Sequence, residues 1–516
     1  MIAALSLATD LSIGFDFEHG LRSTLVATRL AERLGVDQET AAQTYYACLL
    51  QQVGCTADIH VRAAILGDTA AAVKNHLMPV WFGEPREMVA AMARSVAPGA
   101  ALPVRAVEIA RKVPKAARVM PRVDLACREV ARMLVDRLGL PASIGALFAY
   151  VDDRWDGKGV PGARGDEIPL AMRIAHVARD IDVQRVLGGA SRAAQVVGER
   201  AGGALDPAIA ARFVDEAEEI LAIDDEVSAW DQTLGCEPAP RVTLEGPAVD
   251  RALSAMGDFA DLVSPYLAGH SAGLAELASA AAQRCGFGAV EVKAMRRAAF
   301  VHDVGRVAVP VPIWQKQGRL TAGEWERVRL HPYHSERVLI HSPFLAALAP
   351  VATAHHERLD GSGYHRGAVG GSLSAAARVL AAADAYHAMT EPRPHRAALL
   401  PERAAETLGD EARAGRLDAD AVGAVLEAAG HQAPRIERPA GLTEREVEVT
   451  ALLARGLQTK QVARALGISV KTADRHVQNA YAKIGVSTRA AATLFAMEHG
   501  LTAWGELPIA GRGAHS

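Results

Sequence analysis

Apolar residues recur at three-to-four spacing along most of the 516-residue chain, between punctuating Gly and Pro. Leu21 to Leu34, Leu125 to Leu138, Leu274 to Cys285 and Ala404 to Ala414 each read as amphipathic helices. Few windows alternate with period two, and the β-branched runs are short, so the expected fold class is all-α. Two stretches break the pattern with Pro and Gly, LGCEPAPRVTLEG at 234–246 and APRIERPAG at 433–441. One core does not grow to this length. The breaks predict a helical domain at 1–235, a linker at 236–247, a second helical domain at 248–432, a linker at 433–440, a small domain at 441–503 and a tail at 504–516.

The helical words repeat. ACLLQQVG at 47–54 has a partner in AAFVHDVG at 298–305, and the same offset pairs His19 with His270, Ala27 with Ala278, Arg33 with Arg284 and Gly35 with Gly286. At a different offset, DRWDGKG at 153–159 pairs with ERLDGSG at 357–363. An internal duplication is the expectation.

Composition narrows the class. Half of the residues are apolar and 22% are charged, the profile of a globular protein, and the formal net charge of -4 announces no polyanion binder overall. Five scattered cysteines without a CxxC pair suit a reducing compartment rather than a disulfide framework. The N-terminus has no basic region ahead of its apolar stretch, and no apolar run is long enough to span a bilayer. The expectation is a cytoplasmic protein with no membrane partner.

Between Gly269 and Arg396 the sequence places His270, His302, Asp303, His331, His355, His356 and Asp384. A lone His on an apolar helix is usually a satisfied core residue. So many imidazoles and carboxylates would be costly to bury together without partners, whereas a divalent metal uses their lone pairs directly. The mixed donor set suits iron, manganese or zinc better than calcium or magnesium.

The words GHS at 269–271, HDVGR at 302–306, HP at 331–332, HHERLDGSGYHRG at 355–367, AADAYHAMT at 382–390 and RPHR at 393–396 resemble the HD superfamily of metal-dependent phosphohydrolases, in its HD-GYP branch. That resemblance implies two divalent metals, Fe or Mn, with Asp303 bridging. His270, His302 and Asp384 complete one site; His331, His355 and His356 complete the other. It also implies that Asp303 and Arg306 carry the catalysis, and that Arg306, Tyr364, Arg393 and Arg396 contact the phosphate. A cyclic dinucleotide such as cyclic di-guanylate is the implied ligand. Arg306 stands where Lys is usual, His365 where Pro is usual and His387 where Asp is usual; Tyr266 replaces an acid of three-metal members.

In the earlier copy Gln51-Gln52 replaces His302-Asp303, and Val151-Asp152 replaces His355-His356. A neutral amide cannot bridge two metals. The expectation is a degenerate HD-like domain kept for packing, dimerisation or ligand sensing; an unrelated helical bundle is the alternative.

From Leu442 the punctuation is legible. Thr443 with Glu446 forms a capping box, Gly456 ends the first helix, the second runs from about Thr459 to Leu466, Ser469 caps a third that stops at Gly485, and Ser487 starts a fourth that stops at Gly500. From 442 to 500 eight basic residues face five acidic ones. The segment resembles the LuxR-type helix-turn-helix domain, through LTERE, KQVARALGIS, KTADRHV and AYAKIGVSTRAAA, with Ala473 in place of Val. Family resemblance makes 470–484 the recognition helix, with Lys471, Thr472, Arg475 and His476 as DNA contacts and Lys460 and Lys483 on phosphates.

The whole reads as tandem HD-like bundles, the first degenerate, followed by a four-helix LuxR-type domain. The expected protein is a homodimeric DNA-binding transcriptional regulator that hydrolyses a phosphodiester. The rival is a regulator whose metal domain senses a nucleotide without turnover. Double-stranded DNA and a nucleotide or cyclic dinucleotide are its partners in either case.

Overall fold

The computed structural model describes residues 1–67, 69–80, 83–223, 227–430, 439–499 and 501. Helices make up its regular structure; among the described residues the only β features are three isolated bridges. The chain divides into two compact units, Met1–Val249 with 310–312, and Asp250–Val309 with 313–516. No helix among the described residues is long and apolar enough to cross a membrane.

The first unit contains α1 (Ile2–Ile13), α2 (His19–Leu34), α3 (Gln38–Leu49), α4 (Leu102–Arg137) and α5 (Leu170–Arg200), with shorter helices between. Asp37 caps α3 by accepting from Thr40 N at 2.8 Å. Val26, Leu30, Met172, Ile174, Ile181 and Phe213 are buried in one core joining α2 and α5, each such side chain contributing roughly 1.5–3 kcal/mol. The expected linker at 236–247 is not free: Tyr45 and Tyr46 donate to Thr233 O and Glu237 at 3.0 and 2.6 Å, and Gln38 donates to Ala239 O. These bonds carry the first unit past the expected boundary at 235.

In the second unit α6 (Pro247–Asp261) leads to α7 (His270–Arg284), α8 (Ala289–Val301), α9 (His331–Leu339), α10 (Ala375–Thr390), α11 (Pro401–Arg413) and α12 (Ala419–Ala429). The small C-terminal domain lies in the same unit as α13 (Glu444–Ala454), α14 (Thr459–Ala465), α15 (Val470–Ile484) and α16 (Arg489–Glu498). Its capping box at Thr443–Glu446 forms as expected, and Gly456 and Gly485 take the left-handed conformation. The fourth helix is capped by Thr488 rather than started by Ser487. Ala473 is buried with Val449, Leu452, Val462 and Val477. Most of the linker expected at 433–440, Gly500 and the tail at 504–516 lie outside the described residues.

Local relationships repeat between the units. His19 and His270 each begin a helix behind a left-handed residue, Glu18 and Gly269. Asp10 accepts from Gly20 N at 3.2 Å, and Asp261 from Ser271 N at 2.8 Å, at the same offset of 251. Asp153 ties its loop through Gly162 N and Ala163 N, as Glu357 does through Arg366 N and Ala368 N. These shared bonds are what an internal duplication would leave.

Candidate metal centre and DNA-reading domain

The metal-type residues come together because three helix ends meet beside the middle of a fourth helix. His270 starts α7, His302 and Asp303 follow α8, His331 starts α9 and Asp384 lies inside α10. Gly305 makes the turn after Asp303 possible: a Cβ there would lie 2.0 Å from Ser335 N. Ser335 fixes the turn, accepting from Gly305 N at 2.9 Å and donating to His302 O at 2.8 Å.

Three imidazoles are oriented in one way. Nδ1 of His302, His331 and His355 lies 2.7, 2.6 and 2.6 Å from the carbonyls of Ala299, Val328 and Ala352. A carbonyl only accepts, so each Nδ1 carries the proton and each Nε2 keeps its lone pair. Nε2 of His331 and His355 then face each other at 3.2 Å. Buried Nε2 atoms of His270 and His302 have no hydrogen-bond partner among the described residues. Lone pairs so placed fit cations between them.

Asp303 stands at the centre. Its Oδ1 is 3.0 Å from His331 Nε2 and 3.4 Å from His355 Nε2, while Oδ2 is 3.0 Å from His302 Nε2 and 3.6 Å from His270 Nε2. Asp384 lies 3.6 Å from both His270 Nε2 and His356 Nδ1. Donor atoms of His270, His302 and Asp384 lie within 4.8 Å of one another, as do those of His331, His355 and His356. The two expected ligand sets are thus each assembled, with Asp303 between them.

Charge follows this geometry. Burial pushes the Asp303 carboxyl up, but Arg306, His302 and His331 more than offset it and hold it well below its usual range. Asp384 is likewise lowered, burial being outweighed by His355, His302 and His270. Burial depresses His302, His331 and His356. His270 moves oppositely, its desolvation overcome by Glu391 and Asp303, to about 10; a cation at its Nε2 would displace that proton.

The expected phosphate contacts are mixed. Arg306 is buried, paired with Asp303, and its guanidinium lies 5.2 Å from the Trp314 ring centroid. Tyr364 stacks on His356 at 4.2 Å, and burial raises its hydroxyl to about 12. Arg393 bonds Tyr266 O and Glu391 at 2.8 and 2.7 Å. Arg396 directs its guanidinium to the carbonyls of Ala388, Met389, Glu391 and Ala397. It closes the end of α10, where four carbonyls lack helical partners.

Two participants escaped the sequence reading. Glu391 holds Nδ1 of His270, and His387 stacks on the same ring at 5.0 Å while its Nε2 meets His270 O at 2.9 Å. In the sequence His387 stands out only as a departure from a motif, and Glu391 follows α10 with no motif signal.

In the C-terminal domain Lys460, Lys471 and Arg475 are exposed, and Thr472 and His476 are half-buried on α15. Ser469 accepts from Thr472 N, capping this helix. Lys483 differs from expectation: its ammonium binds Glu446 at 2.6 Å and Gly441 O at 3.2 Å.

Comparison with known proteins places both modules. Residues 254–421 match the HD domain family and residues 440–496 match the bacterial regulatory proteins of the luxR family. The chain carries an HD domain followed by a LuxR-type DNA-binding domain. It is 34% identical over 258 residues to the 3'3'-cGAMP-specific phosphodiesterase 3 of Vibrio cholerae, covering 48% of this chain and 55% of that protein. It is 35% identical over 127 residues to the cyclic di-GMP phosphodiesterase response regulator RpfG of Xanthomonas campestris, covering 24% and 34%. The chain thus spans about half, or less, of these curated relatives. The crystal structure of a V. cholerae cyclic GMP-AMP specific phosphodiesterase, V-cGAP3, has the same fold, with a TM-score of 0.56 over 84% of this chain and 97% of that one, at 22% identity.

Proposed function

We propose that the second unit is a two-metal phosphodiesterase acting on a cyclic dinucleotide, and that it is joined to its DNA reader to form a transcriptional regulator. The observation that carries this reading is Asp303, with one carboxylate oxygen toward each of two histidine-rich ligand sets. The names of the relatives supply the substrate class.

Bound iron or manganese would supply Lewis acidity and lower the pKa of an attacking water. The protein's part is orientation. Backbone carbonyls keep three Nε2 atoms deprotonated, and Ser335 holds the His302–Asp303 turn. Arg306 presents a planar guanidinium beside Asp303, suited to two oxygens of a phosphodiester. Tyr364, stacked on His356, offers a hydroxyl that stays protonated at neutral pH and donates to a phosphate oxygen.

A second reading, nucleotide sensing without turnover, draws on the same Arg306. Its ion pair with Asp303 competes with metals for the bridging carboxylate. Incubating the manganese-loaded protein with cyclic di-GMP and with 3'3'-cGAMP, beside its Asp303→Ala variant, separates the two. Linear product from the parent alone supports hydrolysis; binding without product supports sensing.

A further inference from the structure

The metal-type positions of the second unit have counterparts in the first, and their charges differ. α5 and α10 both follow a Gly-x-Gly loop, and the tenth residue of each is Arg179 and Asp384. The fourth residue is Arg in both, Arg173 and Arg378, and the thirteenth is Asp182 or His387. The register is supported by contacts: Asp182 binds His19 Nδ1 at 2.6 Å, and His387 binds His270 O. A guanidinium therefore stands where the second unit has a metal-binding carboxylate.

Arg179 is buried and lines a small cleft together with Ser23, His19 and Gln51. A second small cleft adjoins Gln51 and Gln52 and is lined by Arg62, Arg128 and Asp152. Gln51 Nε2 and Ser23 Oγ are hydrogen-bond donors on residues only 6% and 2% exposed, and neither atom has a hydrogen-bond partner among the described residues. A buried donor left unmade is expensive, which favours an acceptor ligand or an ordered water there.

The acids around the clefts do not cancel this donor character. Burial raises Asp10 well above its usual range; burial, with Asp124 adding, pushes Asp152 up to about 6, which leaves it ionised at neutral pH and paired with Arg128 at 3.3 Å. Asp182 is also ionised and is matched by Arg22 and Arg185 as well as His19. Burial lowers Arg179 to about 10, partly offset by Asp152 and Asp180, so it stays charged at neutral pH; Asp180 also binds Arg200. The pattern is positive charge and N–H or O–H donors, with neutral amides where the other unit carries metal ligands.

We propose that the Arg179, Gln51 and Ser23 cleft of the first unit binds a phosphate oxyanion and does not hydrolyse it. The guanidinium fork takes the role that metals take in a phosphohydrolase, holding the oxyanion, but it activates no water. The place for a phosphoryl group is kept and the means of cleaving it is not. The enclosed space is too small for a whole dinucleotide, so free phosphate is the probe.

The test uses the full chain carrying Asp303→Ala, treated with chelator, so that the second unit's metal centre plays no part. Thermal unfolding is followed against inorganic phosphate, with sodium chloride at matched ionic strength. Phosphate is expected to raise the unfolding midpoint where chloride does not, and Gln51→Leu and Ser23→Ala are each expected to weaken phosphate binding at least tenfold while leaving the far-ultraviolet circular dichroism unchanged. These two substitutions keep the buried Arg179 in place, so loss of binding is not loss of fold. A midpoint that ignores phosphate, that moves equally with chloride, or that still moves in both variants overturns the proposal. None of these results bears on hydrolysis by the second unit, which the background variant has already disabled.

Discussion

Glu391 Oε2 lies 2.9 Å from Nδ1 of His270, which leaves Nε2 of the same ring 3.6 Å from both Asp303 and Asp384. The carboxylate fixes the ring and its tautomer, as acids behind metal-binding histidines do. Glu391→Ala is expected to weaken metal binding by about 10- to 100-fold, read by competition with a chelating dye. Glu391→Gln, which keeps an acceptor oxygen, should lose less. Equal affinity in all three proteins would show that the contact has no part in orienting His270.

Gly305 is a steric requirement. An added Cβ would lie 2.0 Å from Ser335 N and 2.4 Å from the carbonyl carbon of His334, both backbone atoms that cannot swing away. Gly305→Ala should cost about 1–3 kcal/mol or more in denaturant unfolding, the range for overpacking a tight core. An unchanged midpoint would mean that α9 shifts without penalty.

His176 provides a pH prediction away from the metal ligands. It is 2% exposed, and burial, assisted by Arg179, lowers it to about 3 from a usual 6.5. Between these values the unfolded chain binds the proton and the folded one does not, so stability rises with pH across that window. The contribution is fully present above pH 6.5 and is lost progressively toward pH 3, at up to about 1.4 kcal/mol per pH unit. His176→Phe should flatten that part of the stability profile for the first unit. A slope identical to the parent's would place the titration elsewhere.

Lys471 and Arg475 project from α15 into solvent, whereas Lys483 is held by Glu446. Alanine at either exposed position should weaken binding to an operator duplex and lower the slope of log affinity against log salt by about one. Lys483→Ala is expected to leave that slope unchanged and to reduce the domain's stability instead. A reduced slope for Lys483→Ala alone would reverse the assignment.

Most of the candidate site was legible because its candidate ligands sit in short contiguous words, whose spacing survives folding. His302-Asp303 and His355-His356 are examples, and Thr443 with Glu446 announces its helix for the same reason. What escaped depends on distance in sequence. Glu391 meets His270 across 121 residues, and Arg179 matches Asp384 only after a change of offset between the copies. α4 was seen in part: proline normally breaks a helix, yet this one runs 36 residues through Pro114 and Pro121. Both prolines face solvent, which can satisfy the carbonyls they leave unbonded. The fate of Arg396 was hidden because a motif records which residue is present, not which carbonyls reach it first.

The central claim is a two-metal centre bridged by Asp303, and elemental analysis of manganese bound to the purified chain tests it most directly. The account predicts two equivalents per chain, with the Asp303→Ala variant failing to retain the pair. A parent that binds one equivalent or none, or a variant that keeps two, would contradict it.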